Sequence, residues 1–174
     1  MGAAPAVPDP LADLTRQGLR QLARSVSVIT LAWEGRRLAM AATAVEGLSL
    51  DPPAMLICVN RSASLAAPLL AGAGFCINLL GLSHRALPAQ CSSPNQGEAR
   101  FETGRWTTTP CGQPRLGDAA ASFLCANERQ VEYGTHLIVI GRVREVTIAE
   151  GSEPLVYAHG AYHGLRDIRP ETAA

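Results

Sequence analysis

Apolar positions along the chain follow two rhythms. Leu11, Leu14, Leu19, Leu22 and Ala23 recur at roughly helical spacing, which predicts a helix over about Leu11–Arg24. From Ser25 the rhythm changes. "SVSVITLAW" (Ser25–Trp33) is rich in β-branched residues and reads as a strand; Glu34-Gly35 is a turn signal, and Leu38–Ala44 is the returning strand of a hairpin. Ala54–Val59 is a short apolar run bounded by proline and by polar residues, so its length favours a buried strand over a helix. Phe75–Leu80, Ala121–Glu132, His136–Ile148, Leu155–Tyr157 and Ala161–His163 are further strands, with a turn near Gly134 joining the two long ones. Two short helices interrupt them. One follows Ser62 or Ser64 as cap and ends near Gly72; the other covers Ser83–Gln90 with Ser83 as cap. Pro94–Pro114 is polar, broken by Gly and Pro, and reads mostly as loop.

About seven strands with few helices, and no strand–helix alternation, argue against a doubly wound parallel sheet. The pattern predicts a mainly β fold, an antiparallel barrel with a few short peripheral helices. The 174 residues suit one domain, taken as 11–168, between tails at 1–10 and 169–174. Hydrophobic residues make up 47%, enough for a full core. Lys plus Arg equals Asp plus Glu, 15 against 15, so no basic field favours nucleic acid or an anionic membrane as partner.

Five cysteines, Cys58, Cys76, Cys91, Cys111 and Cys125, contain no C-x-x-C, which argues against a zinc ribbon or a dithiol redox pair. The N-terminus lacks a basic start followed by an apolar stretch, and no apolar run approaches the about 20 residues of a membrane span. The expected setting is cytoplasmic, with reduced thiols. G-x-G-x-x-G, G-x-x-x-x-G-K-[ST] and G-x-S-x-G are all absent. His159 and His163 are four apart, but Gly160 and Gly164 flank them and the pair reads as an edge-strand feature rather than a metal site. Asn60-Arg61-Ser62 matches a glycosylation acceptor only by accident in a chain read as cytoplasmic.

The stretch Ala41–Leu65, "AATAVEGLSLDPPAMLICVNRSASL", carries the candidate chemistry. If Leu38–Ala44 and Ala54–Val59 are neighbours, Ala41, Ala42 and Ala44 leave room for a flat aromatic ligand. Thr43, Ala44 and Val45 then offer backbone groups to its polar edge. Asn60, Arg61, Ser62 and Ser64 precede a short helix and supply donors for an anion. Each such charged hydrogen bond is worth about 1.5–3 kcal/mol. Together these features describe a flavin nucleotide site. They also have a plain reading: alanines for close packing, serines as caps, Arg61 as a solvated surface group. Pro52-Pro53 sets the chain direction into the next strand and blocks pairing there. His84 reads as a surface helix residue, and Trp33 and Trp106 as packing groups.

In sequence order, "SVSVITL", "ATAVEGLSLDPPAMLICVNRSAS", "FCINLL", "RFETGRW", "GQPRLGDAAASFLC", "VEYGTHLIVIGRV" and "PLVYAHGAYH" resemble the flavin reductase family with the FMN-binding split β-barrel, over about Leu19–Leu165. The resemblance implies an NAD(P)H-dependent flavin reductase. Its members use FMN or FAD with NADH or NADPH, form homodimers, and serve as reductase components of two-component monooxygenases. It implies that Thr43, Ala44 and Val45 hold the isoalloxazine edge, with Ser49 near the ribityl–phosphate end and Asn60, Arg61, Ser62 and Ser64 on the phosphate. Phe75 and Asn78 complete the pocket floor, His136 sits by the nicotinamide as the catalytic candidate, and Tyr162 or His163 closes the site. No metal is implied. Rival readings are a reductase of a cobalt corrinoid, a non-catalytic flavin- or haem-binding module, and an oxidase like the pyridoxine phosphate enzymes, whose motifs match poorly.

Overall fold

The computed structural model describes residues 9–92 and 97–167. The expected tails at 1–8 and 169–174, residue 168 of the expected domain and the first residues of the expected loop (94–96) lie outside it. Asp9 and Pro10, expected in the tail, instead start the first helix. The Asp9 carboxylate accepts from the Leu11 amide at 2.9 Å, and Pro10 takes the first helical position, where its missing N–H costs nothing. Helix α1 (Pro10–Leu19) is shorter than its apolar spacing predicts, because the chain must extend at β1 (Arg24–Ser25) to pair with a later strand.

The hairpin follows as read: β2 (Ser27–Trp33), a Glu34-Gly35 turn with both residues at positive φ, and β3 (Arg36–Ala42). Then come β4 (Val45–Leu50), β5 (Pro53–Asn60), α2 (Ala66–Leu70), β6 (Phe75–Leu79), a 3-10 turn at Leu82–His84, and α3 (Leu87–Ser92). A second 3-10 turn (Gly97–Phe101) leads to β7 (Trp106–Thr108) and β8 (Pro114–Leu116), the long pair β9 (Ala121–Tyr133) and β10 (His136–Ile148), and finally β11 (Val156–Ala158) and β12 (Ala161–His163). Strands β4, β7 and β8 are absent from the sequence reading. A bulge and Gly47 break the alternation in β4, and β7 and β8 are three residues each.

Seven strands form one antiparallel sheet in the order β3-β2-β6-β9-β10-β5-β4. Its two edge strands, β3 and β4, are consecutive in the chain and joined by Thr43 and Ala44 alone. Laid flat, seven strands would separate those edges by about 29 Å. The link from Ala42 to Val45 spans at most about 11 Å. The sheet must therefore curl until its edges meet, and it forms a barrel split between β3 and β4, which share no ladder. One apolar cluster accordingly draws on all seven strands. Ile29, Leu31, Ile57, Val59, Ile77, Leu137 and Val139 are at its centre, with Leu38, Met40 and Val45 from the edges packed against it. A second cluster, including Val28, Ala39, Leu87, Cys91, Phe101, Leu116 and Leu155, lies outside β2 and β3. The Phe101 and Trp106 rings meet edge-on there at 4.9 Å.

Several expectations need correction. Leu38–Ala44 and Ala54–Val59 are not laddered neighbours: β3 pairs only with β2, and β5 pairs with β4 and β10. Pro53 does not block pairing but sits opposite Leu50 as the first residue of β5, a position that tolerates proline. Neither Ser62 nor Ser64 caps α2; Leu65 stands at that position in αR geometry with no side-chain cap. Ser83 lies inside a 3-10 turn rather than starting a helix. His84 is buried, not on the surface. Its Nδ1 accepts from the Gly81 amide at 3.3 Å, and its Nε2 lies 3.3 Å from Asp118.

Candidate functional site

The Thr43–Ala44 link across the split is the centre of the candidate site. The Ala44 carbonyl accepts from the Cys58 amide at 3.0 Å and ties the crossing to β5. Val45 then falls opposite Ile57. Beside the link, a cavity of about 250 Å³ is lined by Ala41, Ala42 and Thr43 together with Val26, Tyr157 and Tyr162. The small side chains leave the space that the sequence predicts, although it opens at the barrel split rather than between paired strands. The Tyr157 and Tyr162 rings are 5.4 Å apart and form one aromatic wall. Burial first, and then Tyr157, holds the Tyr162 hydroxyl above its ordinary pKa, so it stays a neutral donor.

Two residues along β5 from Cys58, about 7 Å of strand rise, stands Asn60, in register with His136 of β10. Asn60 Oδ1 accepts from both the Ser62 amide and the Ser62 hydroxyl at 2.9 Å, which bends the chain into a tight turn with its amides gathered. The Arg61 amide donates to the Thr135 carbonyl at 2.9 Å, locking this turn to the β9–β10 hairpin. The Arg61 guanidinium holds the Glu132 carboxylate at 3.0 Å, with both side chains about half exposed. The Thr135 hydroxyl sits 2.9 Å from His136 Nδ1 and orients the exposed ring. Asn60, Arg61, Ser62 and His136 thus share one end of the barrel, where Arg61 and Glu132 line a cavity of about 170 Å³ with Ala66 and Leu137, separate from the one beside Thr43.

The other expected residues are placed elsewhere. Ser49 faces Ala54, six residues from Asn60 along β5 and roughly 20 Å away. Its hydroxyl accepts from the Asp51 amide in the hairpin turn, so it cannot share an anion site with Asn60–Ser62. Ser64 lines a different cavity of about 680 Å³, with Trp33, Arg36 and Pro68. Phe75 is fully buried in the barrel interior and is no part of a pocket floor. Asn78 is also fully buried, on the outer side of the sheet under β8. Its Nδ2 donates to the Val28 carbonyl at 2.9 Å and to the Thr30 hydroxyl at 3.2 Å. Its Oδ1 accepts from the Leu116 amide at 2.9 Å and from the Ser122 hydroxyl at 3.0 Å, so nothing is left for a ligand. His163 Nε2 lies 3.1 Å from the Ala158 carbonyl within the small β1-β11-β12 sheet, while Tyr162 beside it does line the cavity. Tyr157 escaped the sequence reading. Its strand was legible, and a two-residue turn at His159-Gly160 sets it directly opposite Tyr162 in the β11–β12 hairpin.

The residues present suit a flavin nucleotide. Small side chains and two aromatic rings border the ring-sized space. The anion end already grips a carboxylate through Arg61.

Three comparisons bear on this arrangement. The family profile described as "Flavin reductase like domain" matches residues 19–166. The chain is 33% identical over 164 residues to the FMN reductase (NADH) RutF of Variovorax paradoxus strain S110, covering 94% of this chain and 89% of that one. The solved structure of BorF, the flavin reductase component of a bacterial two-component tryptophan halogenase, superposes with a TM-score of 0.82 at 27% identity, covering 90% of this chain and 99% of that one. The NADH:FAD oxidoreductase SgcE6 of Streptomyces globisporus C-1027, in complex with NAD and FAD fragments, superposes with a TM-score of 0.82 at 25% identity, covering 97% and 99%.

Proposed function

The chain belongs to the flavin reductase like family, and from that premise we propose how its own residues serve an NAD(P)H-dependent flavin reductase that hands reduced flavin to a partner oxygenase. The observation that carries the site assignment is the common placement of Thr43–Val45 and the Asn60–His136 pair around one end of β5. Bound flavin supplies the hydride acceptor for the reduced nicotinamide. Thr43, Ala44 and Val45 present main-chain groups to the ring edge. Tyr157 and Tyr162 exclude water from one side of the cavity. The Asn60–Ser62 turn and Arg61 take the phosphate, with Arg61 giving up Glu132 to do so. His136, steadied by Thr135, orients the nicotinamide rather than moving a proton.

FMN with NADH is the proposed substrate pair, the pair carried in the names of the RutF relatives. A homodimer is part of the proposal. The apolar residues Leu11, Leu14 and Leu19 of α1 and Tyr133 beside His136 are exposed in one chain, and α1 buries none of its residues against its own domain. Sedimentation velocity at a mass of two chains supports this, and a lone 18.3 kDa species removes it.

NADH oxidation followed at 340 nm with added FMN tests the activity. Arg61→Ala should weaken FMN binding about tenfold, through loss of a charge-assisted contact. Glu132→Gln should strengthen it, by removing the competing carboxylate. Equal affinity in both variants would place the phosphate elsewhere.

A further inference from the structure

A second cavity of about 250 Å³ adjoins the first and shares its Thr43 and Tyr157 walls. Its other lining is Leu19 and Leu22 together with three arginines: Arg16 in α1, Arg20 at the helix end, and Arg24 in β1. Arg16 is paired with Asp13 at 2.6 Å. Among the described residues, no carboxylate lies within ion-pair distance of the Arg20 or Arg24 side chain. The chain as a whole is neutral, 15 cations against 15 anions, so two unpaired guanidinium groups facing one hollow are a local feature rather than a basic surface. Basic residues at a helix C-terminus complement its dipole, which accounts for Arg16 and Arg20. It does not account for Arg24, which lies in a strand and is half-buried.

Guanidinium groups grip phosphate oxygens through paired N–H donors, and a concave wall concentrates their field. The monophosphate of FMN is already assigned to Arg61, on the other side of Thr43. We propose that the Arg16–Arg20–Arg24 hollow is a pyrophosphate subsite for a dinucleotide, receiving the adenylate-side phosphates of FAD or of the reduced nicotinamide donor. The assignment rests on the placement of the flavin ring at Thr43. The two sources share one chemistry and differ in which measured constant moves.

The test uses the full chain with Arg20→Gln and Arg24→Gln combined, and Arg85→Gln with Arg105→Gln, two exposed arginines outside both cavities, as charge-matched control. FMN and FAD affinities are read by flavin fluorescence quenching, the NADH KM with FMN as acceptor, and inhibition with ADP as probe. The double variant should retain FMN affinity within twofold and lose ADP inhibition about tenfold. A tenfold weaker FAD then assigns the hollow to the flavin's pyrophosphate, and a tenfold higher NADH KM assigns it to the donor's. The control should move none of these. FAD, NADH and ADP constants all within twofold of the parent overturn the subsite. A fall in FMN affinity equal to that for FAD also overturns it, since the flavin's own phosphate then lies there. A parent protein that binds no FMN instead overturns the reading on which the subsite rests.

Discussion

Replacing Asn78 with alanine separates two roles that one residue cannot hold together. Its amide joins four groups on two neighbouring strands and the covering β8: Val28 and Thr30 of β2, Ser122 of β9, and Leu116. Truncation leaves the Leu116 amide without its acceptor at 2.9 Å, under a residue that is 1% exposed. The Ser122 hydroxyl keeps only a long contact of 3.5 Å to the Leu116 carbonyl. An orphaned buried polar group costs about 1–3 kcal/mol. Two such groups, eased by a water entering the vacated space, amount to about 3 kcal/mol. That is a large part of the ~5–15 kcal/mol that holds a domain folded. For a chain of this size it lowers Tm by about 6–12 °C.

The assay pairs a thermal melt with FMN titration of the folded variant. The expected result is a lowered Tm with FMN affinity unchanged. Ser122→Ala, which removes a single bond to the same amide, should lower Tm by about a third as much and serves if Asn78→Ala does not accumulate. A Tm within 2 °C of the parent together with tenfold weaker FMN binding refutes the reasoning, because the amide would then face the ligand and not the covering strand.

Three other outcomes follow from named contacts. A methyl group at Gly141 would lie 2.5 Å from Phe75 Cζ and 2.8 Å from Cys125 Cβ, so Gly141→Ala should cost about 1–3 kcal/mol in urea unfolding, and Phe75→Leu in that background should recover part of it. Burial pushes the Cys76 and Cys91 thiols up to about 11 and Cys125 up to about 12, against about 8.5 in an unfolded chain. The unfolded state therefore loses these protons first, and stability falls as pH rises above about 8.5, by up to ~1.4 kcal/mol per thiol per pH unit. The chain contains no lysine, so among its side chains only thiols and tyrosines titrate between urea midpoints taken at pH 8 and 10; equal midpoints refute the effect. His136→Ala should raise the KM for NADH with little change in FMN affinity, and an unchanged KM removes His136 from the donor's site.

How far the chain can be read from its residues divides along one physical line. Composition and alternation are local, so β2, β3, β5, β6, β9 and β10 were legible to within a few residues. Which strand lies beside which is settled by contacts distant in sequence, and there the reading failed. It paired β3 with β5 because both border the small-residue stretch, whereas four strands lie between β3 and β5 in the sheet order. Asn78 and Phe75 fail for a related reason. Successive strand residues face opposite sides, and Asn78 points outward under β8, a three-residue strand that begins at the last residue of the segment read as loop. Without that cover, a polar residue in an apolar strand looks like a ligand group.

The same topology explains why the site survives the error in pairing. Closing a seven-stranded sheet through a two-residue link forces Thr43 and Ala44 onto the seam, where neither edge strand completes the other's ladder. Main-chain groups left free by one strand are then available to a bound ring without breaking any existing ladder. Ala41 and Ala42 both line the cavity beside this link. Ala42 lines the cavity at the rim of the interior cluster, so a larger side chain there, such as Ala42→Leu, should fill ring space while meeting the core only at its edge. It should cost FMN affinity at least tenfold while shifting Tm by no more than about 2–4 °C, the size of a ~1 kcal/mol change in a domain this long. If Ala42→Leu instead unfolds the barrel and leaves the affinity of the folded fraction intact, the seam is a packing interface and the ring lies elsewhere.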